Sequence, residues 1–387
     1  MNPLILIYGT AFISVMGISS ILPVLPQMGL YFGLSDVSLG VLVISFTLPG
    51  IFLAPVGGIL ADRLGSKAVL VPCLILFAVA GVLAGFAESL NTFIFWRIVQ
   101  GCGAACLGVL YNAIIADLFP HENQRLRIMG FAAMVLSMGT AIYPAVGGFL
   151  GEWGWRYPFM LSVLTVPLAL VALLTPLSRG ENRQNMQDYG RNAVILLRKP
   201  RILAHFLLTL CAFALLYGPL ITYFPLLATT HFDASPSRIG SIFSIAALGT
   251  CCAAAFLGPL SHKLQARTMV YTGASFFVVS MLLFPYITSI YGFLIPVLLY
   301  GLGQGLVYPA AMTSLSGLAP GGTRGIVMAV NGTVLRLAQT IAPVLCGLLF
   351  WAWSFKGVFF AGALMGLCIL YLTPRMYAQN PKNSSAA

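Results

Sequence analysis

Gly58-Ile59-Leu60-Ala61-Asp62-Arg63-Leu64-Gly65-Ser66-Lys67 joins two long apolar tracts. Gly58 lets a neighbouring helix come close, and Gly65 allows a turn too tight for a side chain. Asp62 stands at the edge of the apolar tract, where a helix N-terminus or an arginine can hold its carboxylate. Arg63 and Lys67 keep the same edge in water. A charged turn between apolar tracts of about 20 residues or more is what a helical hairpin through a bilayer requires.

Two hundred residues further on the stretch returns as Gly258-Pro259-Leu260-Ser261-His262-Lys263-Leu264, without its aspartate. The same displacement carries Gly40 to Gly240, Gly101 and Gly103 to Gly301 and Gly303, Pro120 to Pro320, and Thr140 to Thr340. It also carries Gly147 to Gly347 and Trp153 to Trp353. Two similar apolar halves in parallel order are a mark of secondary transporters, whose substrate sites lie between the repeats.

Composition agrees. The 387 residues are 59% hydrophobic and only 7% charged, against roughly 25% charged in a soluble domain. The net charge of +11 is a topology signal and not a nucleic-acid footprint. Fifteen of the 20 basic residues, among them Arg63, Lys67, Arg125, Arg191, Lys263 and Arg375, fall on one side of the predicted topology. Only Arg156, Arg238 and Lys356 fall on the other. Because positive residues stay on the cytoplasmic side, both termini are expected there. The N-terminal Met1-Asn2-Pro3-Leu4 reads as the start of an uncleaved first helix.

Apolar runs predict spans near 4–30, 36–61, 68–87, 91–117, 125–150 and 156–176, then near 202–228, 236–261, 268–286, 290–316, 324–350 and 356–373. In lipid each must be helical to satisfy its own backbone. The expected fold is therefore an all-α polytopic membrane protein of twelve helices in two pseudo-symmetric six-helix bundles. Residues 1–176 form the N-terminal bundle, 177–201 a basic cytoplasmic linker, 202–373 the C-terminal bundle, and 374–387 a polar cytoplasmic tail.

The loop Gly58 to Lys67 resembles the G-x-L-a-D-R-x-G-R-[RK] signature of the major facilitator superfamily. Three further stretches are similar to twelve-span drug:proton antiporters within it. Gly17 followed by Leu22-Pro23-Val24-Leu25-Pro26 looks like their first-span pattern, and Arg97-Ile98-Val99-Gln100-Gly101-Cys102-Gly103 like their R-x-x-Q-G-x-G. Gly130, Gly139, Pro144 and Gly147 keep the spacing of their fifth-span glycines and proline, with Tyr143 where glycine is expected. Gly154-Trp155-Arg156 resembles their G-W-R. The resemblance implies a major facilitator fold in a bacterial cytoplasmic membrane, and proton-driven export of small amphipathic compounds or drugs. It also marks Gly58, Asp62, Arg63, Gly65, Lys67, Gly139, Pro144 and Gly147 as gating elements.

Two charges lie inside the apolar tracts. Arg97 is in the fourth span, and Arg336 is near the middle of the eleventh. A central arginine costs about 2.5–3.5 kcal/mol on insertion scales, so each is expected to face a cavity or a partner. The repeat counterpart of Arg336 is Leu136, so symmetry does not require the charge. All nine carboxylates fall at span ends or in loops: Asp36, Glu88, Glu152 and Asp233 on one side, the other five opposite. Without a mid-membrane acid, the two arginines favour neutral, amphipathic or anionic substrates over cations. Proton coupling is assigned to Asp36 and Arg97. Polar residues expected to line the cavity with Arg97 and Arg336 are Tyr111, Asn112, Tyr217, Tyr223, Gln304, Tyr308, Asn331 and Gln339. His205 is expected at the interface.

Enzyme signatures are missing: His121-Glu122 lacks the second histidine of a zinc motif, and no G-x-S-x-G occurs. No cofactor or metal is expected. The expected partners are a small-molecule substrate, protons and the lipid bilayer, with no nucleic acid, and the chain is expected to act as a monomer. The alternative activity is carriage of a metabolite or organic anion.

Overall fold

The computed structural model describes residues 3–119, 121–175, 199–261, 265–318 and 324–377. The linker from 177 to 198 and the tail beyond 377 lie outside the described residues, as does the Asp62 side chain. Among the described residues eleven helices are long and apolar enough to cross a membrane. They are α1 (Pro3–Tyr31), α2 (Asp36–Ala61), α3 (Ser66–Gly85), α4 (Leu90–Leu118), α5 (Arg127–Gly151) and α6 (Tyr157–Leu174). The second half gives α7 (Pro200–Phe232), α8 (Pro236–Ala255), α9 (Ala266–Tyr286), α10 (Ile290–Leu318) and α11 (Ile326–Met376). The last is 51 residues long and is interrupted by non-helical backbone at Trp353 and Ser354, where φ of Ser354 is 54°. That break falls where the sequence predicts the turn between its last two spans.

Proline and local chemistry shape the spans. The first breaks at Val15 and again before Pro23, which opens a short 3-10 turn, and resumes as a helix from Leu25. In α7 the segment Leu216–Tyr223, which contains Pro219, is π-helical. Proline removes a backbone donor, and neighbouring helices make that tolerable in a membrane span.

The sequence repeat is also a repeat of contacts. Within the first half α4 packs on α2 and α3, and within the second half α10 packs on α8 and α9. A side chain at Gly101 would strike the carbonyl oxygen of Phe46, and one at Gly301 would strike that of Ala246, each partner displaced by 200 residues. A side chain at Gly103 would fall on Cys73 and Phe77, and one at Gly303 on Gly273 and Phe277. These glycines set how closely the central helix of each half lies against its neighbours.

The halves meet along two helix pairs, α2 with α11 and α5 with α8, which the same displacement interchanges. Gly40 lies against Pro343, Gly347 against the carbonyl of Val37, Gly240 against that of Pro144, and Gly148 against that of Pro236. The Ser244 hydroxyl donates to the Ala141 carbonyl at 2.6 Å, and the Ser237 amide donates to Glu152 Oε1 at 3.1 Å. The hydroxyls of Thr47 and Thr340 lie 3.1 Å apart. The glycine and serine contacts lie toward the end of the helices that carries Asp36 and Glu152, and the Thr47–Thr340 pair lies near mid-span. Toward the opposite end, marked by Lys67, side chains placed at Gly130 or Gly332 would meet nothing within 4 Å.

The turn at the Lys67 end follows its sequence logic. Gly65 has φ of 90°, a value that side chains disfavour, and so permits the sharp passage from α2 to α3. Lys67 Nζ donates to the carbonyls of Leu173 and, at 3.2 Å, Thr175. A cation thus caps the end of α6, where the helix dipole is negative. A side chain at Gly58 would come within 3.6 Å of Val109 of α4, and Arg63 is exposed.

Candidate functional site

Between the halves the structure gathers side chains from α4, α7, α10 and α11. Arg336, on α11, is half-buried and reaches toward the first half. A side chain at Gly50 of α2 would come within 3.1 Å of Arg336 Cδ and 3.3 Å of its Nε, and one at Gly108 of α4 within 3.7 Å of Nη2. Two glycines of the opposite half thus leave room for the guanidinium. Its Nη1 donates to Gln339 Oε1 at 3.1 Å. Tyr217, on the π-helical part of α7, approaches both Arg336 and Gln339. One turn before it, Phe213 packs edge-on to Tyr308 of α10 at 5.3 Å. Tyr308 in turn has Tyr111 of α4, in the opposite half, in its neighbourhood.

Further from the guanidinium, the Tyr300 hydroxyl donates to Gln304 Oε1 at 3.4 Å while its ring stacks on Phe277 at 5.2 Å. Asn112 donates to the carbonyl of Gly108 at 3.5 Å. Of the predicted cavity residues, Arg336, Gln339, Tyr217, Tyr308 and Tyr111 therefore come together. Asn112 and Gln304 flank the group.

The other predicted residues lie elsewhere. Arg97 is 0% exposed within the first half. Its Nη1 donates to the Gly17 carbonyl at 3.1 Å and to Gln100 Oε1 at 2.7 Å, and Gln100 donates to Ser162 Oγ at 3.1 Å. The guanidinium lies 4.3 Å from the Phe46 ring centre and 5.6 Å from that of Phe159. Its Nε and Nη2 are buried without a hydrogen-bond partner among the described residues. Arg97 thus joins α1, α2, α4 and α6 from inside the half and does not face the cleft in this conformation.

Tyr223 is buried at the Glu152 end, where its hydroxyl donates to the Asp36 carbonyl at 3.3 Å. Asp36 itself is exposed. Asn331 accepts from Thr209 at 2.8 Å and faces Met312 within the second half. Gly139 and Gly147 seat α5 on Phe12, Val15 and Ser20 of α1. Tyr143 also faces α1, its ring 4.7 Å from that of Phe12.

His205 lies near the start of α7, as its place in the sequence requires, and its side chain is enclosed by the protein. It is 0% exposed, with Nδ1 2.7 Å from the Arg201 carbonyl and Nε2 3.0 Å from Ser314 Oγ. Two partners at helical spacing and across to α10 allow a polar ring to be buried, and only the second is invisible in sequence. Phe213 and the flanking Gly50 and Gly108 are the site residues that sequence reasoning missed. Glycine's usual packing role gives no sign that a distant arginine will use the space.

A family model described as Major Facilitator Superfamily matches residues 7–233 and 220–387, nearly the whole chain. The chain belongs to the major facilitator superfamily. It is a multi-pass membrane transporter and not an enzyme. It is 27% identical to Multidrug resistance protein 2 of Bacillus subtilis (strain 168), over 99% of this chain and 96% of the relative. To Quinolone resistance protein NorA of Staphylococcus aureus it is 24% identical, over 89% of each. The crystal structure of a D-xylose-proton symporter superposes with a TM-score of 0.80 at 17% identity, covering 98% of both chains. That likeness concerns the fold.

Proposed function

We propose that this transporter is a proton-coupled exporter of small amphipathic compounds, working by alternating access between two six-helix bundles. The observation that carries the reading is the polar and aromatic group at the junction of the halves, contributed by α4, α7, α10 and α11. Names of relatives that denote drug resistance support export of foreign compounds. Counting the α11 break as a turn brings the spans to twelve. The basic asymmetry of the sequence puts the Lys67 end and both termini in the cytoplasm of a bacterial cell. In that orientation the halves are joined at the outer end, so this conformation opens inward. The gating elements divide accordingly. Gly139, Pro144 and Gly147 serve the outer joint, and the Gly58-to-Lys67 loop, with Asp62 as its latch, serves the inner one. One charge moved across 100 mV supplies about 2.3 kcal/mol, enough for even one proton per cycle to drive a useful gradient.

Proteoliposomes carrying the full chain test this with a lipophilic fluorescent dye and an imposed pH gradient. Dye should move against its own gradient while protons move the other way. Dye movement that ignores the pH gradient would remove proton coupling, and no movement of any amphipathic compound would remove the exporter reading. A second reading, carriage of a metabolite or organic anion, is favoured by the cationic Arg336 at the centre of the cleft.

A further inference from the structure

The geometry points to a carboxylate-binding subsite at Arg336, which makes aromatic monocarboxylates the preferred substrate class of this transporter. The inference rests on the transporter reading above and specifies what its central site selects.

Three observations meet here. The first is an unbalanced charge. Each of the nine carboxylates of the chain lies at a span end or in a loop by sequence, and among the described residues none pairs with the Arg336 guanidinium. Such a charge is costly without a partner, and the half-buried position of Arg336 leaves it within reach of a solute. Arg97 solves the same problem differently, enclosed between two aromatic rings in the first half.

The second is the edge that remains free. Nη1 is occupied by Gln339, and neither Nε nor Nη2 has a hydrogen bond among the described residues. These two nitrogens carry the parallel N–H pair that a carboxylate accepts in bidentate fashion. From the opposite half Gly50 faces Cδ and Nε and Gly108 faces Nη2, each without a side chain. Larger residues there would cover the edge.

The third is the aromatic wall. Tyr217 lies near Gln339 and the guanidinium, Phe213 one turn earlier packs on Tyr308, and Tyr111 stands in the neighbourhood of Tyr308 from the opposite half. An anion at Arg336 therefore extends its apolar part among rings, which offer flat surface and edge-to-face contacts. An aliphatic dicarboxylate would find one cation and no second. One carboxylate with one or two aromatic rings matches the group of side chains present.

Equilibrium dialysis of the full-length protein in nanodiscs, with 1-naphthoate and its neutral counterpart 1-naphthamide as probes, provides the test. The acid should bind at least about tenfold more tightly than the amide, the difference expected of a charge-assisted bidentate contact. Arg336→Gln should bring that ratio close to one by weakening the acid. Arg336→Lys, with charge but no planar fork, should fall between. Equal affinities for acid and amide in the unmodified protein overturn the subsite without recourse to any variant. So does an acid preference that survives Arg336→Gln in protein that remains monodisperse. If the lipophilic dye is exported but naphthoate has no advantage, the subsite falls and the exporter reading stands. If neither dye nor naphthoate binds, both fall.

Discussion

The core around Arg97 and the cleft around Arg336 treat the same problem in opposite ways. Both hold a guanidinium within an apolar span with no acidic partner among the described residues. Arg97 is closed in by α1, α2 and α6, with a carbonyl and Gln100 on one nitrogen and Phe46 and Phe159 about its plane. Arg336 has Gln339 and Tyr217 beside it and glycines opposite. Depth alone therefore says that a charge must be satisfied. Only the neighbours say whether the protein does this itself or leaves it to a solute.

The largest effect should come from fixing the cleft in its present form. Replacing Thr47→Cys and Thr340→Cys puts two thiols where hydroxyls are 3.1 Å apart. Oxidation should then stop transport completely, and dithiothreitol should restore it, with the parent protein as control for its eight native cysteines. Naphthoate binding should persist in the locked protein, because the proposed inward opening leaves Arg336 reachable from the Lys67 end. Loss of binding on cross-linking would break the contrast between an enclosed and an accessible arginine.

A smaller effect is expected in the Arg97 core, and its order matters more than its size. Arg97→Lys keeps the buried charge but forfeits the planar stacking on Phe46 and Phe159, for a loss of about 2 kcal/mol. Arg97→Met removes a charge that has two unpaired donors. Its removal relieves the desolvation cost of an unpaired buried charge. Thermal unfolding should therefore rank Met at or above the parent and Lys below it, while Met lowers transport of every compound alike. A Met variant less stable than Lys would mean that the charge itself holds the four helices together.

Lys67 gives the bottom of the scale. It is a cation at a helix end, capping the carbonyls of Leu173 and Thr175. Lys67→Gln should lower stability by only about 0.5–1 kcal/mol, read from the thermal midpoint. A loss as large as that of Arg97→Lys would erase the distinction between rim and interior.

Much of the architecture was legible before the structure. Span limits follow from apolar runs, and the displacement of 200 residues foretold that Gly101 and Gly301 would do the same work. Gly65 was readable because its turn demands positive φ. Side-chain direction was not. These helices are apolar on all sides, so periodicity marks no buried face. Hence Tyr217 and Tyr223, on one span, look alike in sequence, yet one lies beside Arg336 and the other closes on Asp36. The π-helical stretch Leu216–Tyr223 between them shifts their relative angle in a way that regular helical spacing does not foresee. Arg97 illustrates the same limit, since its enclosure depends on residues from three other spans.

The joint at the Glu152 end is made largely of glycine set against carbonyl: Gly240 on Pro144, Gly148 on Pro236, Gly347 on Val37. Such glycine-to-carbonyl contacts bring backbones close while burying little side-chain surface. A seam of that kind behaves as a contact bearing and not as a lock. It guides the direction of travel, tolerates repeated parting, and holds neither half strongly enough to oppose a weak external bias. The energy source then has only to tilt a balance that is already nearly level, and the speed of the cycle becomes sensitive to any carbon atom added along that seam.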